Sequence, residues 1–547
     1  MRKIEFPFYV SRRQGSLETM TTSSASSKPN SPLGYREYRE LWTANAGSNF
    51  GSQVQVVGAG WLMTSLTTSP QTIALVQTAT NFATVCFILI GGALADNYDR
   101  RRIMLVAQTC MLLTALLLAG LTWWELVTPW SLLALTFLIS GLGSLNNPAW
   151  QASIRDILPR EMISRAVALN STSINLARAA GPALGGLIVA TAGVAAAFVA
   201  NAVSFVGFLA ALARWRARTA QPLTQPESML SAMAVGIRYA VHAPNVRNAV
   251  VRGGLSGLSA SAVFTLMPVV ARQEMGGNAA IYGLLLAAFG AGAVASAMLG
   301  ANLRASFAPD NVVRIAAATA TIGLAILAMA PNPWVAGVDA ALSGSGWTLT
   351  HTTFNTTVQL SAPRWVTARA LALYQTATFA GMAIGSVVLG WVAEQQDVQS
   401  ALWVASFCQL LAGLVSFVLP LIHYEHLQVE PLESARTPDL EEPVNPDEGP
   451  IQVELMYLIS GENRDAFLTA MAERGRIRRR DGAKDWSIWQ DLANRRLWIE
   501  SYRVANWAEY LRHISRRTQA DLGNFEALAS LNEDPKGPAI RRYAKRV

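Results

Sequence analysis

Gly92-Ala93-Leu94-Ala95-Asp96-Asn97-Tyr98-Asp99-Arg100-Arg101-Arg102 sets a cluster of charge between two apolar runs, about 73–95 and about 103–123. Each run meets the requirement of roughly 20 apolar residues for a helix crossing about 30 Å of hydrocarbon. The stretch is therefore expected to be a tight loop at a membrane surface. Its three consecutive arginines mark the cytoplasmic side, because short loops rich in Lys and Arg are retained there.

Composition extends this reading to most of the chain. With 547 residues, 51% hydrophobic and only 15% charged, it is too apolar for an ordinary soluble protein and reads as an α-helical polytopic membrane protein. The net charge of +8 does not point to nucleic acid, because the basic residues are scattered over loops beside apolar spans. Cys86, Cys110 and Cys408 all fall within apolar runs without metal-ligand spacing, so no disulfide, metal or other cofactor is expected. A nucleotide-binding P-loop is also missing, which removes the support for an ATP-driven pump.

Apolar runs predict twelve transmembrane helices, at about 42–64, 73–95, 103–123, 130–152, 168–191, 194–213, 249–271, 280–302, 312–330, 335–358, 370–393 and 400–422. Loop charge supports the count. Arg100 to Arg102, Arg155, Arg160, Arg165, Arg214, Arg216, Arg218, Arg304, Arg314, Arg364 and Arg369 fall on one side, and Arg272 is the main basic residue on the other. Both termini are then cytoplasmic, in a bacterial inner membrane. An internal repeat at an offset of 204 pairs Pro159-Arg160, Arg165-Ala166, Ala168-Leu169, Gly181 and Gly186 with Pro363-Arg364, Arg369-Ala370, Ala372-Leu373, Gly385 and Gly390. It predicts two parallel six-helix halves, 35–213 and 248–424, after a disordered cytoplasmic leader at 1–34 in which Met20 is an alternative start. The loop between the halves, 214–247, carries at 229–239 the spacing of a helix lying on the membrane surface.

The Gly-x-Leu-Ala-Asp pattern followed by basic residues, between the second and third spans, resembles the signature loop of the major facilitator superfamily. Asn97 stands where a basic residue is usual and Asp99 where a glycine is usual. These departures, with Tyr35-Arg36-Glu37-Tyr38-Arg39-Glu40-Leu41-Trp42, Asn49-Phe50-Gly51 and Gly60-Trp61-Leu62, look like the enterobactin-exporter-like efflux branch. The resemblance implies a gating role for Gly92, Asp96, Arg100 and Arg101: the loop latches a closed state by touching helix ends of the opposite half. Gly181-Pro182-Ala183-Leu184-Gly185-Gly186 resembles an element typical of proton-driven exporters, with Ala177 where its longer form often has glycine. The alternative is that these small residues serve only close helix packing. The arginine common in the fourth span is replaced by Phe137, which weakens the implied proton relay.

Polar residues inside spans mark a transport cavity. Asn45, Asn49 and Gln53 share one face of the first span, and Asn147 and Gln151 on the fourth are repeat-equivalent to His351 and Asn355 on the tenth. Interhelical hydrogen bonding is the competing explanation for any single one of them. Arg178 lies near the bilayer centre, where a charge is expected to face a cavity or a partner. It can bind an anionic group of a substrate, take part in coupling, or hold a helix pair. Asp339 is a weak candidate for proton coupling.

Beyond a Pro- and acid-rich linker, 425–450, residues 451–547 are expected to form a small cytoplasmic α+β domain of ferredoxin-like type, able to act as a homodimer contact. Strands are expected at 453–459, 486–492 and 496–504, a helix at 465–474 ended by Gly475, and another from Asn506 to about Arg517. The tail also looks like dimeric antibiotic-biosynthesis-monooxygenase domains. The leading expectation is a secondary transporter, not an enzyme, exporting a small amphipathic or siderophore-like molecule by proton antiport. Its partners are then that substrate, protons and membrane lipid, and not nucleic acid. The alternative is a cofactor-free oxygenase in the tail using His513, Trp486, Trp489 and Glu509.

Overall fold

The structure, a computed structural model, describes residues 31–215, 229–329, 332–363, 365–421, 442, 444–535 and 537–545. The leader up to residue 30, most of the 425–450 linker, Arg216, Arg218 and Arg364 lie outside the described residues, as do the side chains of Asp96, Asn97 and Arg160.

The first half comprises α1 (Arg36–Leu66), α2 (Pro70–Asn97), α3 (Arg100–Trp123), α4 (Pro129–Ile157), α5 (Arg160–Ala192) and α6 (Val194–Arg214). A connecting helix α7 (Met229–His242) leads to α8 (Pro244–Val269), α9 (Ala279–Ser306), α10 (Pro309–Met329), α11 (Pro333–Ser361), α12 (Thr367–Gln395) and α13 (Val398–Leu414). The starts follow from local chemistry. Ser69, Asp99, Thr128, Asn278, Asn332 and Asp397 each accept a bond from an otherwise orphaned amide of the first turn. Proline at the first helical position of α2, α4 and α11 removes one such amide.

Among the described residues, ten helices are long and apolar enough to cross a membrane: α2 to α6, α8 to α10, α12 and α13. The other two long helices, α1 and α11, have 31 and 29 residues but are diluted by groups such as Asn45, Gln53, Gln55, His351 and Asn355. Three sequence expectations are corrected. The hinge is no longer than Tyr98-Asp99, because α2 runs on to Asn97 with Gly92 inside it. The last span ends at Phe417, after a short turn over Val415–Phe417 that follows α13, before residue 422. Gly475 does not end its helix, for reasons given below.

The halves meet along α5 with α9 and α2 with α12. A Cβ on Gly186 would lie 2.7 Å from the Cα of Gly283, so these backbones touch. Gly390, its repeat equivalent, packs on Ala74 and Gln71. At the end away from the signature stretch the halves are sealed. Glu394 accepts from Ser69 Oγ at 2.7 Å, Arg272 Nη1 donates to Thr64 Oγ1 at 3.2 Å, and Gln273 Nε2 donates to the Thr68 carbonyl at 2.9 Å. Beneath these bonds a buried apolar cluster joins Met63 and Ile73 to Leu266, Val270 and Leu389.

The tail contains β1 (Ile451–Leu458), α14 (Arg464–Asp481), β2 (Lys484–Gln490), β3 (Leu497–Val504), α15 (Trp507–Ser515), α16 (Leu522–Leu531) and β4 (Ala539–Ala544). The strands form one antiparallel sheet ordered β2-β3-β1-β4. Alternation of burial along β1 puts Ile451, Val453, Leu455 and Tyr457 against Phe467 and Met471 of α14. Gly475 sits inside α14 because Trp486 packs where its side chain would be. The helix ends at Gly482, whose φ of 122° suits glycine. The tail rests on the second half: Arg476 Nη1 donates to the His242 carbonyl at 2.7 Å, and the Arg516 guanidinium lies 4.7 Å over the Trp365 ring.

Candidate functional site

A cavity of about 680 Å³ lies between the halves, large enough for a drug-sized solute. It runs from Ile73, Pro268 and Tyr282 under the seal to Gly92, Ala152 and Ala368 at the signature-stretch end. Its walls come from both halves because α1, α2, α4 and α5 face α8, α11 and α12 across it.

Arg178 is the one formally charged group in the wall among the described residues. Its side chain is exposed, but only to the cavity, and no hydrogen bond or ion pair occupies it among those residues. His351 lines the same space within electrostatic range of Arg178. The imidazole is held tilted against Trp347 and Tyr374, with ring centroids 5.3 and 5.6 Å away. With no carboxylate in the wall among the described residues, the site presents positive charge and amide dipoles. Such a surface favours an anion in a low-dielectric setting.

Of the expected cavity residues, Gln53, Asn147, Gln151, Arg178 and His351 are brought together, with Gln151 Nε2 donating to Asn147 Oδ1 at 3.2 Å. Asn45, Asn49 and Asn355 are not in the wall. Asn45 is buried and bonds to Asn170 of α5 at 3.4 Å, the interhelical use that competes for any such residue. Asn355 accepts from Gln359 one turn further along α11. Asp339 is also away from the cavity, buried beside Gly323 of α10, where Ser343 donates to it at 3.3 Å. The sequence reading missed Thr80 and Thr84 on α2 and Thr136, Ser140 and Ser144 on α4, all in the wall. Their four-residue spacing was a signal, but hydroxyls that bond their own helix carbonyls, as Thr84 and Ser144 do, are easily taken for inert packing.

The Gly-Pro element packs against α1 and α9 and is not in the cavity wall. Gly181 touches Gln53, Gly185 touches Val54 and Val57 of α1, and Gly186 meets α9. Pro182 lies within α5.

At the signature stretch the arginines hold their own half. Arg100 pairs with Asp156 of α4 at 2.7 Å, and Arg101 donates to the Leu212 and Ala213 carbonyls at the end of α6, at 3.0 and 3.1 Å. Among the described residues, these bonds of the two arginines run to α4 and α6. Asp96 lies outside the described side chains, and Asp99 is the residue that caps α3, 2.8 Å from the Arg101 amide.

In the tail, the four residues considered for catalysis do not converge. Trp486 Nε1 donates to Glu500 at 3.1 Å, and His513 meets Arg478, which bonds Glu500 at 2.8 Å. Glu509 turns to Arg516 at 2.6 Å, and Trp489 is exposed.

Residues 27–547 match the family described as transmembrane secretion effector, so the match runs through both helical halves and the tail. The enterobactin exporter EntS of Escherichia coli K12 is 28% identical over 377 residues, covering 67% of this chain and 87% of the exporter. EntS of Salmonella typhi is 29% identical over 360 residues, 64% of this chain and 84% of its own length. Among solved structures, the nucleoside transporter NupG aligns with a TM-score of 0.55 at 14% identity, over 70% of this chain and 99% of its own. A D-xylose-proton symporter aligns with a TM-score of 0.56 at 15% identity, over 71% and 98%. The relatives are transporters rather than enzymes, and at these identities the solved structures speak for the fold alone. The chain belongs to the transmembrane secretion effector family and is a multi-pass membrane transporter of the major facilitator superfamily.

Proposed function

We propose that the protein is a secondary active exporter that moves a small amphipathic, siderophore-like molecule out of the cell by alternating access, with proton antiport as the coupling. The observation that carries this reading is Arg178, the one charged and unpaired side chain among the described residues of a cavity sealed at one end and reaching the signature stretch at the other. The twelve long helices α1 to α6 and α8 to α13 would all cross the membrane, α1 and α11 being tolerated in spite of their polar residues because those face protein or cavity. Arginine-rich signature-side loops put that side, both termini and the tail in the cytoplasm. The sealed face is then the outer one, and the state is loaded from inside. The enterobactin exporters among the relatives support the export direction and the siderophore-like class. The tail, folded in the ferredoxin-like manner, is assigned a dimerising or regulatory role, since the residues that an oxygenase would need are dispersed.

Arg178 tests the proposal directly. In cells lacking their own exporters, Arg178→Ala should insert normally yet lose export of the transported compound by about tenfold or more, whereas Arg178→Lys should keep part of it. Removing one charged hydrogen bond costs about 1.5–3 kcal/mol, which is a factor of about 10 to 100. A folded Ala variant with unchanged export would refute the role of Arg178, and no change in accumulation of any tested compound between cells with and without the protein would refute export.

A further inference from the structure

Among the described residues, the tail core holds more positive charge than its carboxylates neutralise. Arg474 and Arg478 of α14 both approach Glu500 of β3, and Arg517 after α15 lies within electrostatic range of both arginines. Glu500 is already engaged: Arg478 Nε at 2.8 Å, Trp486 Nε1 at 3.1 Å and Tyr457 Oη at 3.0 Å all donate to it. Arg474 is left with a 3.7 Å approach to Glu500, and its Nε and Nη1 have no hydrogen-bond partner among the described residues although the residue is only 3% exposed. Arg517 Nε has none either. The imidazole of His513 takes a bond from Arg478, and burial with Arg478 and Arg517 beside it keeps it well below its ordinary value, so it is neutral and adds no compensating charge. Arg480, by contrast, is met by Asp481 and Asp521, each at 2.8 Å. Burial first, then Arg478, lowers Arg474 and Arg517, Arg517 to about 10, whereas carboxylates raise Arg478 and Arg480 against the same burial. Both under-partnered guanidinium groups lie over one ring, Phe525 of α16, at 4.1 and 5.3 Å. Arg517 and Phe525 are half-buried, so this corner of the core reaches solvent.

Buried guanidinium groups without carboxylates are costly, and a planar fork of donors matches an oxyanion. We infer that the tail binds a small oxyanion, a phosphate or carboxylate group of a soluble metabolite, between Arg474 and Arg517 beside Phe525. The site is separate from the transport cavity and does not depend on what the cavity carries. The test uses the full-length protein in detergent at constant ionic strength in chloride, with inorganic phosphate in one arm and citrate in another, read by hydrogen–deuterium exchange. At ten times its dissociation constant, a bound oxyanion should slow exchange in α14 and α16 by about tenfold while leaving α1 to α13 unchanged. Arg474→Met and Arg517→Met should each abolish that protection, and Arg474→Met should exchange more slowly than wild type in chloride alone, because the uncompensated charge is gone. Arg503→Met, on an exposed position of β3, should respond like wild type. Protection by phosphate alone or citrate alone would identify the group preferred. No saturable protection in either arm, or equal protection in both Met variants, would overturn the site. Faster exchange in Arg474→Met without any anion effect would show instead that Arg474 only supports Glu500.

Discussion

Arg178 shows how far single residues could be read. A charge at the centre of an apolar run costs at least about 2.5 kcal/mol on insertion scales, so sequence alone required a cavity or a partner for it. Which of the two it has depends on the neighbouring helices, and these leave it facing the cavity without a carboxylate among the described residues. The stripe on α1 was legible only in part for the same reason. Asn45, Asn49 and Gln53 share a face, but the cavity is bounded along that face, and Asn45 meets Asn170 of α5 where the helices close together. Residues of the tail were less legible, because packing a helix on a sheet joins positions from different elements, such as Arg478 of α14 and Glu500 of β3. Burial pushes the Glu500 carboxyl up, but Arg478 and Arg474 with the bonds from Arg478 and Trp486 outweigh it and hold it at about 2, against an ordinary 4.5. A group lowered on folding stabilises above its unfolded value and loses that contribution as pH falls through the folded one. The tail should therefore lose on the order of a few kcal/mol between about pH 5 and pH 2, visible as a falling melting temperature of its tryptophan signal. Glu500→Gln should melt lower at pH 7 and show a flatter acid limb. An acid limb identical to wild type would separate Glu500 from acid unfolding.

At the scale of elements, the apolar runs located the long helices because hydrocarbon leaves the backbone no alternative to internal hydrogen bonds. The ends were less clear, since hydropathy says little about caps. Asp99, which departs from the common pattern, caps α3 and shrinks the hinge, and polar turns at Ser69 and Asn332 carry the helices beyond their apolar cores. The glycine pairing found in the repeat gained its meaning from packing. Gly186 and Gly390, equivalent by the 204-residue offset, both sit where one half touches the other, against Gly283 and against Ala74 with Gln71. Gly186→Leu should wedge α5 from α9, and Gly390→Leu should wedge α2 from α12, each at the sealed end. Overpacking of this kind costs about 1–3 kcal/mol. A cost borne only when the seal is formed shifts the population of the sealed state by about five- to 150-fold, so each variant should transport at about a fifth of the wild-type rate or less with normal membrane insertion. The neighbouring Gly207→Leu, with open space around its Cα, should transport normally. Equal transport by all three would show that the contacts are incidental.

For the whole molecule, the arrangement of contacts is lopsided: cross-half bonds gather near Thr64, Thr68 and Ser69, while Arg100 and Arg101 at the opposite end hold α4 and α6 of their own half. Sequence indicated two parallel halves but not which end is shut, because that choice rests on a small difference between two packings of the same helices. If the sealed end is the outer one and opens during each cycle, a covalent tie there should stop transport without unfolding anything. Thr68→Cys with Gln273→Cys, in a background without Cys86, Cys110 and Cys408, places thiols where a side chain already reaches a backbone carbonyl at 2.9 Å. Oxidation or a short bifunctional reagent should cross-link the pair in most of the protein, abolish export, and release it again on reduction. In the single variant Thr68→Cys, a membrane-impermeant reagent should label intact cells from outside. Labelling only after the cells are opened would reverse the orientation assigned from the arginines. Full export by the cross-linked protein would show that transport does not require the sealed end to open.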